Sequence, residues 1–122
     1  MVKILIVDDE VFARDAMAKI IARKGFEVLV ASTGEECIKL FKNENPQVLF
    51  LDIILPDLDG DHVYTYLKEI KKDIVVYFIT GSGFVFTKEN AMKAGASGYL
   101  QKPIEIQELF KVLDDIKKKF GD

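Results

Sequence analysis

A chain of 122 residues, 49% hydrophobic and 30% charged, has room for one packed core but not for a catalytic domain plus a regulatory one. Its net charge is -3 with the two signs interleaved, so no basic patch exists to displace counterions, and nucleic acid is not expected as a direct ligand. No apolar run approaches the ~18 residues of a membrane span, and acidic residues stand where a signal peptide would have its cleavage site, so a mature cytoplasmic chain starting at Met1 is expected.

The first apolar run, KILIV (3–7), predicts a strand and stops at Asp8 and Asp9. Phe12, Ala16, Met17 and Ile20 then follow at helical spacing and predict a shared buried face. A second strand, EVLVA (27–31), follows the turn residue Gly25, and Thr33 with Glu36 has the form of a capping box opening the next helix. In that helix Cys37 is spaced from Phe41 like a small core residue; as the only cysteine it excludes an internal disulfide and a cysteine-based zinc site. The third run, QVLFL (47–51), is nearly continuous in branched and aromatic residues, as in a strand covered on both faces, and Asp52 ends it. Val63, Leu67 and Ile70 mark a third helix, IVVYFI (74–79) a fourth strand ending at Thr80, and GYLQ (98–101) a fifth ending at Lys102. Leu109, Val112, Leu113, Ile116 and Phe120 share a face of the last helix, whose Lys117, Lys118 and Lys119 suit the negative end of its dipole. Five alternations of strand and helix predict a single α/β domain over 1–122, a doubly wound (βα)5 sheet with right-handed crossovers and no output domain.

The polar residues gather at strand ends. In an open parallel sheet, ligands bind outside the carboxyl ends of the strands where strand order reverses; a flavodoxin-like order of 2-1-3-4-5 puts that point between the first and third strands. Asp8, Asp9 and Asp52 would meet there, with Thr80 and Lys102 beside them. Three close carboxylates stay ionised together only beside a cation, and hard oxygen ligands suit Mg²⁺, with Mn²⁺ as the alternative. The cation and the Lys102 ammonium would neutralise the oxygens of a transferring phosphoryl group, Thr80 would donate a hydrogen bond to it, and Asp52 would be its acceptor.

Rival readings of FLDIILPDLDGD (50–61) fail on particular residues. A calcium loop starting at Asp57 needs Gly at its sixth position and Glu at its twelfth, where His62 and Lys68 stand. A haloacid-dehalogenase-type phosphatase needs a second Asp two residues after the nucleophile, where Ile54 stands. GSGFVF (81–86) imitates a dinucleotide fingerprint but carries Phe86 in place of the third Gly and follows the fourth strand, not the first. Asp57, Asp59 and Asp61 are expected to serve the turn and a helix N-terminus, and His62 to be a solvated helix-start residue.

The chain resembles the receiver domains of two-component response regulators, of the chemotaxis-regulator type. The likeness rests on VDDE (Asp8, Asp9), on Asp52 followed by Pro56 and Gly60, on Thr80-Gly81, and on AGASGYLQKP with Tyr99, Lys102 and Pro103. It implies that Asp52 is the phosphoacceptor, that Asp9, Asp52 and the Ile54 backbone carbonyl bind Mg²⁺ directly, and that Asp8 holds it through water. It further implies that Lys102 pairs with acceptor and phosphoryl, that Thr80 and Tyr99 form the switch, and that the Lys102-Pro103 bond is cis. The donor would be a histidine kinase or phosphotransfer protein, and the output a downstream protein contacted through the fourth helix, fifth strand and fifth helix. No membrane partner is implied; the chain would be a monomer, with dimerisation on activation left open. A degenerate receiver working by constitutive contacts is the alternative. Leu55 stands where Met is usual, Asp61 where an apolar residue is frequent, and Ile54 and Ser82 at variable positions flanking the acceptor. Phe84, Val85 and Phe86 are more apolar than a loop needs; either one or two of them tuck under the fourth helix, or the segment forms, with Tyr99, a contact surface.

Overall fold

The computed structural model describes residues 1–81 and 88–121. Its elements alternate as β1 (Lys3–Val7), α1 (Val11–Arg23), β2 (Glu27–Ala31), α2 (Gly34–Glu44), β3 (Val48–Asp52), α3 (Gly60–Ile70), β4 (Val75–Thr80), α4 (Lys88–Lys93), β5 (Gly98–Gln101) and α5 (Ile106–Phe120). All five strands are parallel, in the order β2-β1-β3-β4-β5. The third and fourth strands each begin and end one residue later than their apolar runs suggested. Asp52 and Thr80 therefore belong to the sheet itself, with Asp52 in register with Ile79.

Side chains alternate across a strand, so each central strand supplies two cores. Leu5, Val7, Leu49, Leu51, Val76 and Phe78 face one way and pack with Cys37, Phe41, Val63, Leu67 and Ala91 of α2, α3 and α4. Ile4, Ile6, Val48, Phe50, Tyr77 and Ile79 face the other way and pack with Met17 and Ile21 of α1 and Leu109, Leu113 and Ile116 of α5. Among the described residues, no helix is long and apolar enough to cross a membrane.

The expected face of α1 needs correction. Phe12 is 94% exposed and Ala16 is exposed; the buried residues are Met17 and Ile21. At about 100° per residue, Phe12 lies about 140° around the helix from Met17, too far to share its stripe. Ile70 and Phe120, at the ends of their helices, are also more exposed than expected, while the rest of both faces is buried or half-buried. The capping box is shifted by a residue on one side: Thr33 Oγ1 accepts from the Glu36 N–H at 3.1 Å, but Glu36 reaches back to the Ser32 N–H, at 2.6 Å. Cys37 is fully buried, and desolvation followed by the charge of Asp57 pushes its thiol pKa up to about 12, so it behaves as a core residue.

Candidate functional site

β1 releases the chain at Asp8, whose N–H still donates to the Ala31 carbonyl at 3.0 Å, so the first strand pair fixes this side chain. β3 ends on Asp52, and the side chains of Asp8 and Asp52 are 5% and 7% exposed. Lys102 follows β5 and is tied to β4 by its own N–H, which donates to the Thr80 carbonyl at 2.8 Å. Its ammonium lies 2.9 Å from Asp52 Oδ2, 3.0 Å from Asp8 Oδ2 and 2.7 Å from Glu10 Oε1. The other oxygen of each buried carboxylate is held by backbone: Ile54 N–H donates to Asp52 Oδ1 at 3.0 Å, and Glu10 N–H to Asp8 Oδ1 at 2.9 Å. Three strand ends and two loops therefore converge on one ammonium.

The loop after β3 closes tightly over this floor. Gly60 N–H donates to the Ile53 carbonyl at 2.6 Å, and a Cβ at Gly60 would sit 2.2 Å from the Asp52 carbonyl oxygen. Only a hydrogen in that position lets α3 start so close to the end of β3.

Burial raises the Asp52 pKa, with the Asp8 charge adding to the rise; the Lys102 hydrogen bond, the Ile54 N–H and the Lys102 charge oppose it. Burial likewise works against a charged Lys102, but its bonds to Glu10, Asp52 and Asp8 together outweigh that and raise its pKa. Glu10, bonded to the same ammonium and then drawn by its charge, titrates below the usual carboxylate range. Three carboxylates facing one ammonium leave two formal negative charges. The ligand oxygens of Asp8, Glu10 and Asp52 lie within 4.8 Å of one another. An all-oxygen, net-negative donor set of this kind fits a hard divalent cation.

The residues singled out in the sequence are not all gathered here. Asp8, Asp52 and Lys102 are. Thr80 is 1% exposed at the neighbouring strand end, and its hydroxyl donates to the Gly81 carbonyl at 3.2 Å. Tyr99 is half-buried against the core on the α2–α4 side. Asp9 is exposed, and the carboxylates that converge on Lys102 are Asp8, Glu10 and Asp52. Ile54 contributes its N–H and forms a bridge with Asp59. The Lys102-Pro103 peptide is cis. Ser82, Phe84, Val85 and Phe86 lie outside the described residues.

Two functional contacts were missed in the sequence. Glu10 was passed over: the bend at Asp9, closed by the Glu10 N–H bond to Asp8 Oδ1, brings it to the same ammonium as Asp8, a contact that the residue types alone do not signal. Asp57 serves a helix N-terminus, but that of α2 and not of the α3 that follows it. Its two oxygens accept from Gly34 N–H at 2.8 Å and Glu35 N–H at 3.0 Å. Asp59 is the N-cap residue of α3 yet makes no side-chain cap bond.

Comparison with known proteins identifies the family. The family model for the response regulator receiver domain matches residues 4–114. A probable transcriptional regulator, ycf27, of Guillardia theta is 38% identical over 109 residues, covering 88% of this chain and 42% of the relative. The alkaline phosphatase synthesis transcriptional regulatory protein PhoP of Bacillus subtilis is 35% identical over 107 residues, covering 88% of this chain and 45% of that protein. The chain thus spans less than half the length of these two relatives. Among solved structures, the receiver domain of AraT, a response regulator from Geobacillus stearothermophilus, is similar with a TM-score of 0.89 at 31% identity, covering 99% of this chain and 97% of that one. The chain belongs to the response regulator receiver domain family.

Proposed function

We propose that the chain is a phosphorylation-activated signalling switch that accepts a phosphoryl group on Asp52 from a phosphohistidine of a histidine kinase or phosphotransfer protein. The observation that carries this reading is the divided bonding of Asp52: one oxygen fixed by the Ile54 N–H, the other turned to the Lys102 ammonium. The fixed oxygen sets the angle of the carboxylate; the other attacks phosphorus as the bond to the donor imidazole nitrogen breaks. The imidazole keeps the electron pair and takes up a proton. Lys102, already beside Asp52 Oδ2, then pairs with the phosphoryl oxygens. Asp8, Asp9 and Asp52, with the Ile54 carbonyl, would hold Mg²⁺. When bound, the ion supplies charge neutralisation for the acidic floor and the incoming group.

The proposed switch uses residues beside the same site. Thr80 gives up its bond to the Gly81 carbonyl and donates to the phosphoryl group, and Tyr99, already half-buried, moves inward behind it. The face made by α4, β5 and α5 then differs between the two forms, and a partner that binds one form better shifts the population. Ile54 occupies the place where a phosphatase of this chemistry carries its general acid, so the aspartyl-phosphate persists as a signal and is not turned over rapidly.

Intact mass after incubation with acetyl phosphate tests this reading. Wild type gains one phosphoryl group only with Mg²⁺, and Asp52→Ala gains none. A folded wild type that binds Mg²⁺ yet gains nothing, from acetyl phosphate or from phosphorylated kinase, would instead place the chain among receivers that work by constitutive contact.

A further inference from the structure

Glu10 is the member of the cluster that the proposed chemistry leaves without a task. Its side chain is 64% exposed, and although it stands at the N-cap of α1 it makes no capping bond. Its contact with Lys102, at 2.7 Å, is nevertheless shorter than those of Asp52 and Asp8, at 2.9 Å and 3.0 Å. An ammonium has three N–H donors, and three carboxylates surround this one. A phosphoryl group on Asp52 needs at least one of those donors.

The three carboxylates are not equivalent as competitors. Asp8 and Asp52 are the buried pair on which a divalent cation would sit, and a cation there takes over their demand for positive charge. Glu10 lies at the exposed mouth and keeps its claim on Lys102. Its charge also has the same sign as the phosphoryl oxygens. Both effects point one way. Resting on the receiver reading above, we propose that Glu10 is a positioning residue that holds the Lys102 ammonium in the unphosphorylated protein and must yield it before the phosphorylated conformation forms.

Beryllofluoride, a phosphoryl mimic, tests the proposal when its affinity is measured from amide shifts with Mg²⁺ saturating for each variant. Glu10→Gln should bind it roughly two- to five-fold more tightly than wild type, the range expected for one exposed ion pair. The advantage should shrink at high salt, which screens exposed charges. Glu10→Asp, which keeps the charge but is a methylene shorter, should fall between the two. A role in helix capping alone would move the melting temperature and leave this ratio at one, which overturns the proposal. Weaker binding of both Mg²⁺ and beryllofluoride by Glu10→Gln overturns it too, making Glu10 a partner of the metal and not a brake on Lys102. A wild type that binds no beryllofluoride overturns the receiver reading along with it; a wild type that binds, with Glu10→Gln no tighter, overturns only the role of Glu10.

Discussion

The strand end at Asp52 and the turn at Asp57 use the same side chain in the same acidic stretch, yet their surroundings are opposite. Asp52 is buried, and its partners are a side-chain ammonium and one N–H. Asp57 is exposed, and both its oxygens are held by N–H groups at the start of α2. Burial pushes the Asp52 pKa up, whereas the Gly34 and Glu35 N–H bonds pull that of Asp57 down. On the proposed reading, the difference separates the phosphoacceptor from a structural carboxylate. Backbone donors at a helix end cannot leave, while an ammonium on a flexible stem can move to a new anion.

Gly60 joins the two regions, and the largest effect is expected there. Its Cβ would meet the Asp52 carbonyl oxygen at 2.2 Å, Ile53 Cα at 2.8 Å and Asp52 carbonyl carbon at 3.0 Å, all backbone atoms. It is not among the positive-φ glycines, so space and not conformation demands glycine. Gly60→Ala should cost about 3 kcal/mol in urea unfolding, the upper part of the range for overpacking, because backbone relaxes less readily than side chains. It should also weaken Mg²⁺ binding by displacing Asp52. A variant with full stability would break the link drawn between the end of β3 and the start of α3.

Most of the fold was legible because β3 and β4 are apolar on both faces and the helices between the strands carry clear stripes. Asp8, Asp52 and Lys102 were legible for a related reason: each follows an apolar run whose end can be seen, and the sheet order brings those ends together. Glu10 was not, because a glutamate at a helix start is ordinary and its partner lies 92 residues away. Asp57 showed only its preference for a turn, since the helix it caps begins 23 residues earlier. Phe12 was misplaced because a stripe at the first turn of a helix has no preceding turn to fix its phase. Thr80 stood out as a strand-end hydroxyl, but its bond to its neighbour's carbonyl depends on a backbone turn that residue types do not specify.

The second expected effect is an increase in stability. The folded pKa of Asp52 is raised, so its favourable contribution is present below the unfolded value of ~3.9 and is lost as pH rises through the folded pKa. Near neutral pH the charged carboxylate therefore works against folding, and Asp52→Asn should melt higher than wild type in Mg²⁺-free buffer. Lys102 keeps Asp8 and Glu10 as partners in that variant. Added Mg²⁺ should narrow or reverse the gap, since on the proposed reading wild type gains stability from bound Mg²⁺ and the variant gains less. A lower melting temperature for Asp52→Asn without Mg²⁺ would mean that the bond to Lys102 outweighs burial.

Asp57→Asn should have the smallest effect, with the opposite sign. Its folded pKa is lowered, so its contribution is present above the unfolded value of ~3.9 and is lost as pH falls through the folded pKa. Asparagine keeps one acceptor oxygen but not the charge that both N–H groups and the positive end of the α2 dipole favour. Urea unfolding at pH 7 should show a modest loss for the variant, limited by the exposure of the site. The two proteins should converge as acid titrates the wild-type carboxylate. A gap of constant size across that range would assign the role of Asp57 to the shape of its turn, because a packing contribution does not titrate. Closure of the gap would assign it to charge, leaving Asp52 as the carboxylate of this stretch whose ionised form costs the fold stability.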